Sequence, residues 1–226
     1  MKRMLLLLAA MLIFAVPMTA FADTLTFFAP ATAPYSGNGG PNQFDLDHHL
    51  AYTWRIGNVN LAGKTITGAR ITFSSISNWD TNANTLFVHL LDTAINSGVA
   101  SFTDATGSPV PVGQIADNFA GALLATNPLV AAGTGNTFLF SQSFSTTPTN
   151  FVFNFTAAQI QALSAYFAHN NNIAFGFDPD CHYWNNGIKF ELYTSTTVPE
   201  PATMLLLGSG LAGIAAKIRK LLVNAE

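Results

Sequence analysis

The stretch that decides the fold is Ile173-Ala174-Phe175-Gly176-Phe177, in which every second residue carries a large apolar side chain. Successive side chains of an extended strand point to opposite faces, so this spacing predicts a strand with one face in a core. The same alternation recurs at residues 50–56, 138–140, 151–155 and 188–192. Repeated strands of this kind predict an all-β domain with a phenylalanine-rich core.

Two segments refine this prediction. Residues 85–91 are apolar on both faces, which predicts a central strand that is buried on both sides. Between Ile66 and Ile71 the apolar residues change parity around Gly68, and such a change is typical of a β-bulge.

One segment has helical spacing instead. Thr156 precedes Ile160, Leu163 and Phe167, so we expect a short helix that Thr156 caps and that ends near His169. Many strands with a single late helix predict an antiparallel two-layer β-sandwich, most like a jelly roll of the lectin or carbohydrate-binding-module type.

Composition limits the partners of this domain. Charged residues make up 9 % of the chain, and residues 23–197 carry four basic and ten acidic side chains, a formal charge of −6. Nucleic acid is therefore excluded as an expected partner, because phosphate binding needs a positive field. The single cysteine, Cys181, allows no intramolecular disulfide.

The N-terminus has the pattern of a secretory signal peptide. Lys2 and Arg3 precede an apolar run at residues 5–16, and Ala20-Phe21-Ala22 follows. Small residues on both sides of Phe21 fit signal peptidase, so we expect residues 1–22 to be a signal helix that is cleaved after Ala22.

The C-terminus has three zones. Pro199-Glu200-Pro201 is stiff because proline restricts its own φ and the preceding residue. Residues 202–216 are uncharged and largely apolar, and Lys217, Arg219 and Lys220 form a basic stop. This order predicts a short transmembrane helix with its basic end in the cytoplasm and Pro199-Glu200-Pro201 outside.

These three zones together resemble a PEP-CTERM sorting domain, over residues 198 to about 222. The resemblance implies recognition by exosortase, a membrane protease-transpeptidase of Gram-negative bacteria that export exopolysaccharide. It also implies a transient inner-membrane intermediate, cleavage near Pro199-Glu200-Pro201, and delivery to the cell surface or extracellular matrix. The alternative is a plain membrane tail that is never removed. The expected organisation is a signal peptide at 1–22, a β-sandwich at 23–197 and a sorting signal at 198–226.

Two acidic clusters are candidate metal ligands. They contribute Asp45, Asp47 and His48 from one end of the domain and Asp178, Asp180 and His182 from the other. The first and last strands of a jelly roll commonly lie side by side, so the clusters could meet and bind Ca²⁺, or a transition metal through the histidines. The alternative is that Asp178-Pro179-Asp180 is a turn whose carboxylates cap backbone amides.

Loops also carry candidate sugar-binding residues. Trp79 and Trp184 each lie beside Asn or Asp residues and could stack on carbohydrate, whereas Trp54 alternates within a strand and is expected in the core. Residues 78–84 begin like an EF-hand loop, but Thr85 and Leu91 replace its glycine and glutamate, which favours a polar turn.

No sequence signature of a catalytic site is present, and Cys181 next to His182 does not make a thiol pair because neighbouring strand residues point apart. The sequence therefore predicts a non-enzymatic surface or matrix protein, structural or carbohydrate-binding, in a polysaccharide-rich envelope or biofilm. The alternative is a secreted metal-assisted polysaccharide hydrolase that uses the Asp/His clusters.

Overall fold

The computed structural model describes residues 22–30, 46–47, 50–103, 117–196, 208–211, 213–214 and 217. Residues Asp23–Thr194 form one compact unit. The elements are β1 (Ala22–Phe28), β2 (Leu50–Ile56), β3 (Lys64–Asn78), β4 (Leu86–Leu91), β5 (Gly98–Thr103), α1 (Gly121–Thr126), β6 (Asn136–Gln142), β7 (Thr149–Asn154), α2 (Ala157–Asn170), β8 (Ile173–Pro179), β9 (Tyr183–Trp184) and β10 (Ile188–Thr196).

Two sheets build the domain. The first has the order β1-β10-β3-β7, with β9 also paired to β3, and the second has the order β5-β2-β8-β4-β6. The pairs β2–β5, β2–β8, β3–β7, β4–β6 and β4–β8 are antiparallel. The predicted antiparallel two-layer sandwich is confirmed, and β1 and β10 are neighbours as predicted for the first and last strands.

Aromatic side chains from both sheets meet in the core. Phe73 of β3 contacts Phe177 of β8 edge to face, with ring centroids 5.9 Å apart. Phe175 of β8 contacts Phe190 of β10 at 5.0 Å in the same geometry. Edge-to-face contacts are favourable for aromatic quadrupoles, so the alternating phenylalanines join the two layers. Trp54 is 3 % exposed and belongs to this core, as its alternating strand predicts.

The predicted late helix is α2. The hydroxyl of Thr156 accepts a hydrogen bond from the backbone N–H of Gln159, and the Gln159 side chain accepts one from the backbone N–H of Thr156. This capping box fixes the first turn. Asn171 ends the helix in the left-handed region, with φ of 53°. A second helix, α1, was not predicted because its six residues are too few to show a helical period.

Irregularities in β3 occur at two places. Burial changes parity between Ile66 and Ala69, around the Gly68 where the sequence predicts a bulge. A register shift against β7 lies further along, between Phe73 and Ile76. There Ser75 has a φ of 47°, and its backbone N–H donates to the side chain of Asn150 at 2.9 Å.

The second sheet is covered on both faces. Its inner face meets the first sheet, and its outer face lies under residues 117–135, a segment that contains α1 and that we name the strap. The small cluster between strap and sheet consists of Ala51, Leu91, Ala94, Phe119, Leu129, Val130 and Ala174. This second layer explains why residues 85–91 are apolar on both faces, since β4 is sandwiched between the two cores.

Candidate aromatic binding edge

Two tryptophans that are distant in sequence lie at one edge of the first sheet. In the β3–β9 pair Ser77 is opposite Trp184, and Asn78 is opposite Tyr183. The backbone N–H of Trp79 donates to the carbonyl of His182 at 3.1 Å, which continues this pairing by one residue. The structure therefore brings together Trp79 and Trp184, the two predicted stacking residues.

Trp79 is the exposed ring of this edge. Tyr183 is fully buried, whereas its strand neighbours His182 and Trp184, which lie on the other face of the strand, are half-buried. Their rings lie 4.2 Å apart between centroids, with an angle of 35° between planes. Trp79 is 55 % exposed, and its indole Nε1 donates to Sγ of Cys181 at 2.9 Å. We name Trp79, His182 and Trp184 the aromatic edge.

A polar loop at residues 78–84 borders the aromatic edge. The carboxylate of Asp80 accepts hydrogen bonds from the side-chain amides of Asn82 at 2.6 Å and Asn84 at 2.8 Å. Asn78 accepts from Asn84 as well, and it donates to the carbonyl of Asn82. The oxygens of this loop are thus used by its own amides, which is the arrangement of a polar turn.

The environment of this edge is acidic and partly desolvated. Burial raises the pKa of Asp180 above that of an ordinary aspartate. Burial also raises the pKa of the Cys181 thiol, and the nearby Asp80 and Asp180 carboxylates add to that rise. Tyr183 is held protonated, because burial and then Asp180 raise its pKa well above the ordinary range. A thiol with a raised pKa is a poor nucleophile at neutral pH.

The predicted acidic clusters do approach each other. Leu46 and Tyr183 form an isolated antiparallel bridge, in which the N–H of Tyr183 donates to the carbonyl of Leu46 at 2.8 Å. Asp47, beside this bridge, donates through its backbone N–H to the Tyr52 hydroxyl at 2.9 Å. Asp45 and His48 lie outside the described residues.

In the other acidic cluster, Asp178 and Asp180 contact different segments of the domain. One carboxylate oxygen of Asp178 accepts from both the backbone N–H and the side-chain amide of Asn118, in the strap. Asp180 donates its backbone N–H to the carbonyl of Thr85. Among the residues that the structure describes, no three His, Cys, Asp or Glu side chains are grouped as a metal site would require. The Ca²⁺ site therefore remains a prediction.

A buried polar cluster that the sequence analysis missed lies under the strap. His89 of β4 is 2 % exposed, and its ring nitrogens contact Asn136 at 2.9 Å and Asp117 at 2.8 Å. The signal that could have found it is a histidine inside an otherwise apolar central strand, since such a residue needs polar partners when it is buried.

Most of the two predicted targeting signals lie outside the described residues, including Ala20, Pro199, Glu200, Pro201, Arg219 and Lys220. Ala22, after which cleavage is predicted, is the first residue of β1. Residues 208–211, 213–214 and 217 are helical, and Lys217 is exposed. Within the described residues, no helix is long and apolar enough to cross a membrane.

Comparison with known proteins supports the C-terminal signal. Residues 197–220 match the PEP-CTERM protein-sorting motif, which confirms the resemblance seen in the sequence. No curated protein and no solved structure matched the chain. The matched motif indicates an exported protein that exosortase recognises and processes at the membrane. It covers only the end of the chain and contains no residue of the aromatic edge.

Proposed function

We propose that this exported, exosortase-targeted chain is a non-enzymatic cell-surface or matrix protein whose sandwich binds polysaccharide at the aromatic edge. The observation that carries the proposal is the pairing of β3 with β9, which places Trp79 and Trp184 together at one edge and leaves Trp79 55 % exposed. Binding residues are commonly held at a surface by a rigid scaffold, and two indoles that share one edge offer a larger apolar contact surface than a single exposed aromatic ring.

Sugar rings suit such a surface. One face of a pyranose ring presents C–H groups, which pack against the electron-rich face of an indole, while the hydroxyls around the ring seek polar partners. The polar loop beside Trp79 and the carboxylate of Asp180 supply polar atoms next to the rings. The formal charge of −6 on residues 23–197 disfavours polyanions, so the expected ligand is a neutral or weakly charged polysaccharide.

The proposal that this domain binds without turnover rests on how its acidic side chains are used. Asp178 accepts two hydrogen bonds from Asn118, and Asp80 accepts from the amides of its own loop. Carboxylates committed to structural amides are poorly placed to activate water or protonate a leaving group. The raised pKa of Cys181 likewise argues against a thiol nucleophile.

A binding assay with matched variants tests this proposal. Purified residues 23–197 are mixed with matrix polysaccharide from the producing bacterium, and the bound fraction and the released reducing sugar are both measured. We expect retention without turnover, and a loss of about fivefold to tenfold in affinity for Trp79→Ala or Trp184→Ala, since a stacking contact of about 1–1.4 kcal/mol corresponds to that range.

Phe28→Ala is the matched control for these variants, because Phe28 is also an exposed aromatic residue, at 70 % exposure, and lies on β1 outside the aromatic edge. Equal binding by all variants would refute the aromatic edge as the site. Release of reducing sugar would favour the alternative, a secreted hydrolase.

Delivery to the surface is a separate part of the proposal. Replacing Pro199, Glu200 and Pro201 with alanine should leave the protein in the inner-membrane fraction, while the native chain reaches the surface or matrix with Asp23 as its first residue. Cell fractionation and N-terminal sequencing measure both results. Surface delivery of the alanine variant would contradict sorting through this motif.

A further inference from the structure

The first sheet ends in two strands, β1 and β7, and each has one side that no strand covers among the described residues. The outward backbone N–H and C=O groups of such an edge strand can pair with a further strand. Both strands lie at the surface, since five of the seven residues of β1 and four of the six residues of β7 are exposed. The two edges are therefore accessible to a partner that supplies a strand.

The core is incomplete at both edges. The inward-facing side chains of the two edge strands pack against the core but are only half-buried, and they are Leu25 and Phe27 in β1 and Phe151 and Phe153 in β7. Inward-facing side chains of the strands between them, such as Phe190, are fully buried. A further strand with the same alternation would cover this apolar surface, and removing apolar surface from water is favourable.

Neither edge strand carries the residues that usually prevent pairing with another chain. Lysine and proline are the common ones. β1 and β7 contain no lysine, arginine or proline. The one charged residue in the two strands is Asp23, whose carboxylate lies 2.7 Å from the ammonium nitrogen of Lys64. No unpaired charge on one edge strand therefore opposes the other.

The two edge strands run in opposite directions. The N–H of Ala29, directly after β1, donates to the carbonyl of Ile188 at the start of β10, and the N–H of Ser74, late in β3, donates to the carbonyl of Gly187. Because each of these contacts joins the end of one strand to the start of β10, β10 is antiparallel to both β1 and β3. β3 is in turn antiparallel to β7. The four strands alternate in direction, so β1 and β7 point opposite ways.

The second sheet differs in this respect. Its five strands also alternate in direction, so its edge strands β5 and β6 run the same way. A copy of the chain added there in the same orientation would have to form a parallel pair. The side-chain amide of Gln159 also donates to the carbonyls of Phe138 and Leu139 in β6, at 3.2 and 3.1 Å. The first sheet is therefore the one that a second copy can extend as an antiparallel ladder.

We propose that copies of this chain associate head to tail, with β7 of one copy pairing antiparallel to β1 of the next. A copy in the same orientation presents β1 in the direction that an antiparallel partner of β7 requires, and it keeps the inner face of the sheet on the same side. Because the two paired surfaces differ, each added copy offers a new edge, and the assembly grows as a chain.

The side-chain pattern fixes the register of this pairing. Inward-facing residues lie opposite each other when Phe27 of one copy is beside Phe151 of the next, and Thr26 is then opposite Val152 on the outer face. The pairing uses neither tryptophan of the aromatic edge. Loss of polysaccharide binding and loss of self-association are therefore separate results.

Disulfide cross-linking in the producing bacterium tests the pairing and its register. The full chain is expressed with Cys181→Ser, so that introduced cysteines are its only thiols. Thr26→Cys together with Val152→Cys, followed by mild oxidation of intact cells, should give a ladder of multimers on a denaturing gel, because opposite residues of paired strands lie within disulfide distance. Two co-expressed chains that carry one of these cysteines each should give dimers and nothing larger.

Thr26→Cys with Ile95→Cys is the matched control, because Ile95 is 55 % exposed, against 45 % for Val152, but belongs to neither edge strand. That pair should give no ladder. Absence of a ladder from Thr26→Cys with Val152→Cys would overturn the proposal, and so would an equal ladder from the control pair. Adducts with a different protein in place of the ladder would overturn it as well, since the partner would then not be a second copy.

Sedimentation equilibrium in density-matched detergent, on the chain purified from the producing bacterium, measures association without introduced cysteines. The native chain should form multimers as its concentration rises. Thr26→Lys and Val152→Lys should each weaken association about tenfold or more, because pairing would bury a charge that has no partner. An equimolar mixture of these two variants should form dimers through their remaining native edges, and Ile95→Lys should associate like the native chain.

Two results of this measurement would refute the proposal. Equal association of Val152→Lys and Ile95→Lys would show that the edge of β7 is not used. A native chain that stays monomeric as its concentration rises would refute head-to-tail pairing even if none of the variants folds.

Discussion

Gly176 of β8 lies directly against the ring of Phe119 in the strap, and we predict that Gly176→Ala destabilises the domain. A Cβ added at Gly176 would lie 2.7 Å from two ring carbons of Phe119 and 2.9 Å from a third. Carbon atoms in ordinary contact are about 3.5–4.0 Å apart, so the Phe119 ring would have to move by about 1 Å.

The magnitude follows from how little Phe119 can move. Its ring is fully buried, its carbonyl accepts from Asn136, and the preceding residue, Asn118, is held by Asp178. Overpacking at such a site costs about 1–3 kcal/mol. Phe119→Ala alone should cost about 3–5 kcal/mol through the cavity that it leaves. In the Phe119→Ala background, Gly176→Ala should be neutral or slightly stabilising, because the clash is gone.

Urea unfolding of residues 23–197, followed by tryptophan fluorescence, measures both effects as midpoint shifts at constant slope. Gly57→Ala is the matched control, since its added Cβ would have only the Cβ of Asn172 nearby, at 3.9 Å. That substitution should be neutral or stabilise by up to about 1 kcal/mol, by restricting the unfolded chain. The steric argument fails if Gly176→Ala costs the same in both backgrounds, or nothing in the native one.

Three further predictions concern other parts of the domain. Thr156→Ala removes the cap of α2 and should cost about 1 kcal/mol, measured by the same urea assay; an unchanged midpoint would contradict the capping role. Arg70 donates two hydrogen bonds to Glu191, at 2.6 and 3.0 Å, and these bonds lower the pKa of Glu191 from its ordinary 4.5. Arg70→Met should therefore lower the free energy of unfolding by its full amount above pH 4.5, and by less as the pH falls further. A loss of unfolding free energy that grows on acidification would refute this assignment. Phe73→Ala should cost about 3–5 kcal/mol because Phe73 is fully buried, whereas Phe28→Ala, at 70 % exposure, should change the unfolding midpoint little.

The fold was predictable from the sequence because its signals are local. Alternating Phe175 and Phe177 mark a strand within five residues, and Thr156 with the spacing of Ile160, Leu163 and Phe167 marks a helix. The strap was not predictable in this way. The apolar residues of the strap show neither a helical nor a strand period. The strap packs on the outer face of the second sheet, and a strand that is apolar on both faces lacks the alternation that marks one buried face.

The candidate site was predictable only in part. Neighbouring polar residues identified Trp79 and Trp184 as loop aromatics, but their meeting depends on the register of β3 against β9, which joins residues over 100 positions apart. For Asp178 the sequence grouping was less informative. Its closeness to Asp180 in sequence suggested a shared metal site, whereas in the structure its carboxylate accepts a hydrogen bond from Asn118 in the strap. His89 was passed over because its partners, Asp117 and Asn136, are 28 and 47 residues away.

The sequence by itself determined the sorting motif, the strand and helix periods and the low charge of the domain, because each of these is read from neighbouring residues along the chain. Only the tertiary structure decided which strands pair, which tryptophans share an edge and which aspartates serve the strap. These depend on contacts between distant segments, and the apolar patterns of the strands resemble one another too closely to specify which segments meet.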